Sequence, residues 1–245
     1  ILLDTANIET IKKYNDIYDV TGVTSNPTII SREKGDFFAI LCGIRKIIGD
    51  KKQLHVQVTA DNCEEMLEEA EAIVKRLGKD TYIKVPTNEV GIKTMKALKA
   101  DSYNVTATAI YTPQQAVMAA SVGADYAAPY FNRMCNNNFN APEAIAEMAE
   151  IYSMYGKKTK LLAASFKNTN QIMQALLAGA EAVTASPELY TQMVESPLID
   201  DAISRFNADC EELRQNVLRL HIIANSDSEA DQALKLKIRD RILEN

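Results

Sequence analysis

Tyr82-Ile83-Lys84-Val85-Pro86, followed by the polar Thr87-Asn88-Glu89, reads as a short β-strand that stops at a proline. Side chains alternate across a strand, so Ile83 and Val85 share one face while Tyr82 and Lys84 share the other. A lysine between two aliphatic residues is an expensive placement unless its charge reaches water. On a sheet edge the ammonium extends to solvent and carries no function. In a buried strand, desolvation disfavours the charged form and lowers the pKa. An amine kept neutral in this way attacks a carbonyl and forms a Schiff base. The flanking sequence decides between these readings.

Outward from this stretch, strands and helices alternate. Apolar runs predict strands at 1–5, 20–24, 53–60, 104–111, 125–131, 159–166 and 181–185. Helical spacing falls between them, at 8–18, 27–48 with a break near Gly35, 62–77, 88–100, 113–122, 142–155, 169–178 and 187–194. Pro27 and Pro113 sit where helices begin, at their favoured first-turn position. The run Asn136, Asn137, Asn138, Asn140 reads as a polar loop. Longer helical stretches follow at 198–220 and 229–243, with a break at 225–228. Short connections between alternating strands and helices imply parallel pairing with right-handed crossovers. Eight such units predict an α/β fold, a single (β/α)8 TIM barrel with extra C-terminal helices. An open doubly wound sheet fits less well, since no glycine-rich phosphate loop follows the first strand. The expected organisation is a catalytic barrel over 1–220 and a helical tail over 221–245.

A barrel interior takes alternate residues from each strand. Sharing the face of Lys84 should be Leu2 and Asp4; Gly22, Thr24 and Asn26; His55, Gln57 and Thr59; Thr106 and Thr108; Ala128 and Tyr130; Ala163 and Ser165. The opposite faces are apolar, as packing beneath helices requires. The shared face gathers polar groups, mostly near C-terminal strand ends, where this fold keeps its catalytic residues. Each buried polar group left unpaired costs about 1–3 kcal/mol, so chance explains the set poorly. Taken singly, these residues have bland roles. Asp4 suits a turn, Asn26 before Pro27 a turn, Thr24 and Thr108 ordinary strand positions, Arg133 and Lys167 the surface. His55 lies a residue pair deeper and reads as structural.

Composition narrows the function classes. The 245 residues carry a net charge of -6, which argues against a general nucleic-acid binder but leaves room for a phosphorylated substrate. Four scattered cysteines and two histidines give no zinc spacing, so no metal is expected. No apolar run long enough for a membrane span and no signal peptide is read, and the expected setting is cytoplasmic.

Five segments then carry a likeness: Leu3-Asp4-Thr5, Gly22-Val23-Thr24-Ser25-Asn26-Pro27, Ile83-Lys84-Val85-Pro86, Ala128-Pro129-Tyr130-Phe131-Asn132-Arg133 and Ala163-Ala164-Ser165-Phe166-Lys167. In this order they resemble the small transaldolase family, most closely its fructose-6-phosphate aldolase branch, over roughly residues 2–213. The resemblance implies a class I mechanism with no cofactor. Lys84 matches the Schiff-base lysine, Asp4 and Asn26 the groups at the ketose hydroxyls, with Thr24 beside them. Thr108 matches a residue holding a catalytic water, and Arg133 with Ser165 the phosphate-binding pair. Transaldolases carry glutamate at Gln57 and phenylalanine at Tyr130; the aldolases carry this chain's glutamine and tyrosine. The implied reaction splits fructose 6-phosphate into dihydroxyacetone and glyceraldehyde 3-phosphate. Tyr130, with a water held by Gln57 and Thr108, takes the C4 hydroxyl proton. The family forms rings of five, often paired into ten, so a homo-oligomer is expected. The Asn-rich loop and the long tail depart from the family pattern. Two rivals stand beside this reading: a transaldolase moving a dihydroxyacetone unit between sugar phosphates, and a non-catalytic sugar-phosphate-binding barrel.

Overall fold

A computed structural model of the chain describes residues 1–217, 222 and 224–243. Eight parallel strands pair in chain order and close on themselves: β1 (Leu2–Asp4), β2 (Gly22–Thr24), β3 (Gln53–Gln57), β4 (Tyr82–Pro86), β5 (Asn104–Ile110), β6 (Tyr126–Pro129), β7 (Lys160–Ala163) and β8 (Ala182–Ala185). Ten helices connect them or follow them: α1 (Ile8–Ile17), α2 (Pro27–Ser31), α3 (Phe37–Ile48), α4 (Cys63–Leu77), α5 (Glu89–Ala100), α6 (Pro113–Ser121), α7 (Phe131–Asn136), α8 (Ala141–Met154), α9 (Thr169–Leu177) and α10 (Pro187–Val194). This is the expected (β/α)8 barrel.

Local chemistry sets the helix starts. Asn7, Asn26, Asn62, Asn88 and Asn168 each accept a backbone N–H of the helix they precede, which satisfies one of the donors a first turn leaves orphaned. Thr112 and Gln115 close a reciprocal capping box ahead of α6. The main core lies between barrel and helices. Leu3, Val23, Leu54, Val56, Ile83, Val85, Val105 and Ala127 face Ile11, Leu41, Ile44, Met95 and Leu98 there. A second, smaller apolar group, Leu2, Tyr126 and Leu162 with Tyr82 and Ala182, fills the barrel axis.

The alternation argument holds on most strands and is corrected on one. On β7 it is Leu162 that joins the axial group, while Leu161 and Ala163 pack outward beneath the helices. The expected inward placement of Ala163 is therefore wrong by one residue. The sequence extended this strand to Phe166, whereas β7 ends at Ala163 and Ser165 turns into the left-handed region at φ 65°. A second irregularity lies on β5, where the register with β6 shifts between Ala107 and Ile110 and Ala109 has φ 57°. The strand expected over 125–131 also ends early, at Pro129, because Phe131–Asn136 forms the short helix α7.

One close approach fixes how β4 leaves the barrel. The Cα of Gly91, in the first turn of α5, sits so near the Pro86 carbonyl oxygen that a Cβ there would overlap it. Gly91→Ala is expected to destabilise the protein by about 3 kcal/mol. A scan should show Tm falling by roughly 10 °C; an unchanged Tm would mean that α5 does not rest on Pro86.

The chain divides into two compact units, Ile1–Val194 and Glu195–Asn245. The division falls earlier than the boundary expected near 220, which itself lies outside the described residues. The second unit comprises α11 (Pro197–Val217) and α12 (Glu229–Leu243). Apolar side chains of α11 stand exposed, among them Leu198, Ile203 and Phe206, so this helix contributes no core of its own.

Candidate active site

A cavity of about 400 Å³ opens at the C-terminal ends of the strands, where a (β/α)8 barrel keeps its chemistry. Asp4, Asn26, Lys84, Tyr130, Arg133 and Ser165, six of the residues expected from sequence, line it together. Thr24 and Thr108 stand one hydrogen bond behind. The Thr24 hydroxyl donates to Asp4 Oδ1 at 2.7 Å and meets the Thr184 hydroxyl at 2.6 Å. Thr108 Oγ1 lies 2.9 Å from the Tyr130 hydroxyl. Gln57 pairs in register with Lys84, but it lines a separate cleft with Phe37, Phe38 and Glu69 rather than the lysine's cavity.

Lys84 is only 5% exposed, and its Nζ donates to the Ser25 carbonyl at 2.9 Å. Burial pushes its pKa below the ordinary lysine value of 10.5, and the Asp4 carboxylate partly opposes that shift. Asp4 is moved the other way. Burial raises its pKa, while Lys84 and the Thr24 hydroxyl pull it down. The edge-strand reading of this lysine therefore fails: it is a desolvated amine inside a closed ring of strands.

Beneath Lys84 lies a fully buried His55. Its Nδ1 is 2.9 Å from Thr106 Oγ1 and its Nε2 is 3.1 Å from Gln53 Oε1, while the ring stacks on Tyr82 at 4.5 Å. Burial, with Lys84 close by, keeps its pKa well below the usual histidine value, so the imidazole is neutral. Gln53 Oε1 accepts only, so Nε2 carries the hydrogen and Nδ1 accepts from Thr106. The placement agrees with the structural role read from sequence.

Two local features bring Tyr130, Arg133 and Ser165 to one side. The N–H groups of Phe131 and Asn132, at the start of α7, donate to the carbonyls of Ala164 and Ser165 at 2.9 and 2.8 Å. The left-handed Ser165 turns its carbonyl toward them. A non-glycine residue at positive φ costs of order 1–3 kcal/mol and persists where the surroundings impose it. Arg133 is exposed at the mouth, its guanidinium 5.0 Å from the centre of the Tyr130 ring. Asn26 uses Oδ1 to cap α2; among the described residues nothing accepts from its Nδ2.

Sequence reasoning missed several lining residues: Arg32, Lys167, Thr184 and Ser186. Thr184 was within reach, since carrying the alternation on to β8 places it on the inner face. Lys167, read as surface, is exposed and yet borders the cavity. Arg32 follows α2 with no pattern that marks it.

The family comparison settles what this constellation belongs to. The profile of the family described as Transaldolase/Fructose-6-phosphate aldolase matches residues 1–240. The chain belongs to that family. Among curated relatives, a probable fructose-6-phosphate aldolase from Streptococcus pneumoniae is 43% identical over 209 residues, covering 85% of this chain and 94% of the relative. A probable transaldolase from Brucella anthropi is 34% identical over 215 residues, covering 88% and 98%. One from Agathobacter rectalis is 33% identical over 207 residues, covering 84% and 95%. Among solved structures, a flavocytochrome b2 variant superposes with a TM-score of 0.57 at 12% identity, over 78% of this chain and 57% of its own. That likeness shows the barrel fold alone. The protein is thus an enzyme of carbohydrate metabolism within this family. No helix among the described residues is long and apolar enough to cross a membrane.

In a family member that uses its lysine as a nucleophile, the acid limb of the pH profile reports the lysine. Asp4 is the charge that holds the Lys84 pKa up. Asp4→Asn is therefore expected to move the acid limb of kcat/KM to lower pH, whatever it does to the plateau. An acid limb that stays in place would mean that another group sets it.

Proposed function

We propose that the protein is a class I aldolase that cleaves and forms fructose 6-phosphate from dihydroxyacetone and glyceraldehyde 3-phosphate. The observation that carries this reading is the buried Lys84, desolvated in the middle of β4 with Asp4 and Tyr130 in the same cavity. The neutral amine adds to the ketose C2 carbonyl, and loss of water gives an iminium ion. The iminium accepts the electron pair of the C3–C4 bond as it breaks, and a base takes the C4 hydroxyl proton. Tyr130, polarised by Thr108 at 2.9 Å, is placed for that transfer. Asp4 and Asn26 hold the donor hydroxyls from the β1 and β2 sides. Arg133 and Ser165 take the phosphate, the guanidinium as a bidentate fork. The enamine is then protonated and hydrolysed, which frees Lys84.

The residue types at 57 and 130, glutamine and tyrosine as the resemblance to the aldolases implies, favour the aldolase over the transaldolase: an amide does not shuttle protons as a carboxylate does, and the Tyr130 hydroxyl lies in the lysine's cavity. Relatives named as transaldolases at 33–34% identity keep the transferase as the second reading. Fructose 6-phosphate with and without erythrose 4-phosphate separates the two. Free dihydroxyacetone released without the acceptor supports the aldolase; turnover only with the acceptor makes the enzyme a transaldolase. Borohydride reduction in the presence of dihydroxyacetone, followed by mass spectrometry, tests the chemistry common to both. A three-carbon adduct on Lys84 is expected, and its absence would leave a sugar-phosphate binder. We also read the exposed apolar face of α11 as the contact of a cytoplasmic homo-oligomer, a pentamer or decamer whose size sedimentation would report.

A further inference from the structure

Gln171 is a partly buried residue in the first turn of α9, three positions after the cap Asn168, whose Oδ1 accepts the Gln171 N–H at 3.0 Å. A glutamine at this position ordinarily closes a capping box with its own helix start. This one reaches outside the helix with both ends of its amide. Oε1 accepts the Lys167 N–H at 2.8 Å, and Nε2 donates to Asn132 Oδ1 at 3.1 Å. The orientation is fixed, because a backbone N–H only donates and must face the amide oxygen. A glutamate would accept from Lys167 equally well and would suit a helix N-terminus better; the donation to Asn132 requires the amide. The two residues joined in this way flank Arg133 and Ser165. Asn132 directly precedes Arg133, and Lys167 follows Ser165 by two positions. Ser165 itself stands at φ 65°, a conformation that persists only where the surroundings impose it. Upstream, the bonds from Phe131 N–H to Ala164 and from Asn132 N–H to Ser165 pin this turn to α7. Downstream, the side chain of Gln171 closes the loop.

We infer that Gln171 is a positioning residue for the phosphate end of the site: it clips the Ser165 turn to α7, so that Arg133 and Ser165 meet one phosphate at a fixed spacing. This rests on the phosphate-binding role proposed above for those two residues and adds the side chain that sets their separation. Arg133 is exposed and Ser165 is strained, so neither holds its own place. Gln171 touches neither of them and acts through Asn132 and Lys167. Its loss should therefore be felt by a phosphorylated ligand and not by a ketone that carries no phosphate.

Fructose 6-phosphate is titrated by calorimetry into Lys84→Met protein, in which no turnover consumes it. Adding Gln171→Met, which keeps the length and removes both hydrogen bonds, is expected to weaken binding about tenfold. Asn132→Ala should weaken it comparably, and the two changes together by no more than one alone, because they break the same clip. With Lys84 restored, Gln171→Met should leave unchanged the dihydroxyacetone concentration that half-saturates borohydride trapping. Unaltered fructose 6-phosphate affinity in Gln171→Met would overturn the inference. So would a half-saturation that rises as much as the Kd, since the substitution would then loosen the whole mouth of the barrel. Failure of the underlying reading shows separately. Arg133→Leu with undiminished affinity would place the phosphate elsewhere and remove this inference with it. Wild-type protein with no adduct on Lys84 would remove the aldolase chemistry and leave the titrations interpretable.

Discussion

Lys84→Met is expected to lower turnover by about ten-thousandfold or more while the protein stays folded. The amine is the only lysine lining the cavity's depth, with Lys167 exposed at the mouth, and without it no covalent route remains. Borohydride should then trap nothing from dihydroxyacetone. Stability should move in the opposite direction from activity. The folded state holds the Lys84 pKa below 10.5, the value of a free lysine side chain. Between the folded and unfolded pKa values the unfolded chain therefore binds more protons. The cost of this lysine is fully present below its folded pKa and vanishes as pH rises to about the unfolded value. Methionine removes the cost, so the variant's melting temperature should match or exceed that of the wild type near neutrality. The gap should close as pH approaches 10.5. A variant that unfolds instead would mean that the Nζ–Ser25 hydrogen bond, at 2.9 Å, outweighs the desolvation it accompanies.

Tyr130→Phe carries the second largest effect and a different signature. The substitution keeps the ring, with its packing against Tyr111 and under Arg133, and removes only the hydroxyl. A positioned acid–base group is worth about 10²- to 10⁴-fold, and a kcat loss of that size is expected. The iminium should still form, so the borohydride adduct on Lys84 should persist. The contrast with Lys84→Met assigns the tyrosine to carbon–carbon cleavage and the lysine to the covalent step. An equal loss of adduct in both variants would remove Tyr130 from proton transfer and make it a structural neighbour of the lysine. Thr108→Val, which withdraws the partner 2.9 Å from that hydroxyl, should fall between Tyr130→Phe and the wild type.

Much of this was legible in the chain because the fold obeys simple alternation. Apolar positions two apart on Val23, Val56, Ile83 and Val105 marked the outward faces, and the same parity placed Asp4, Lys84 and Tyr130 together in one cavity. The failures have local causes. Period-2 reasoning assumes an unbroken strand, and Ser165 departs from one at φ 65°. It reached the right cavity through a turn, not through the face assigned to it. Asn136 to Asn140 drew attention to a polar loop and hid the helix before it, since Phe131–Asn136 is too short to show a helical period. Gln57 has the register of its neighbour Lys84 and is among the residues that border the cleft of Phe37 and Phe38; strand register alone does not assign a residue to one cavity. Arg32 was invisible because long side chains at helix ends reach places that spacing does not encode.

Leu2, Tyr126 and Leu162 plug the barrel axis below His55, and none of them is more than 7% exposed. Among the described residues, the floor of the chamber is therefore closed by apolar side chains. On the proposed mechanism, substrate, products and the water that hydrolyses the iminium would all pass the C-terminal end of the barrel. In that mechanism the aldehyde fragment leaves before the fragment held on Lys84 is hydrolysed from it. With the floor closed, a fragment held on Lys84 in the proposed mechanism would meet the next aldehyde from the C-terminal side of the barrel, the side by which the first one left.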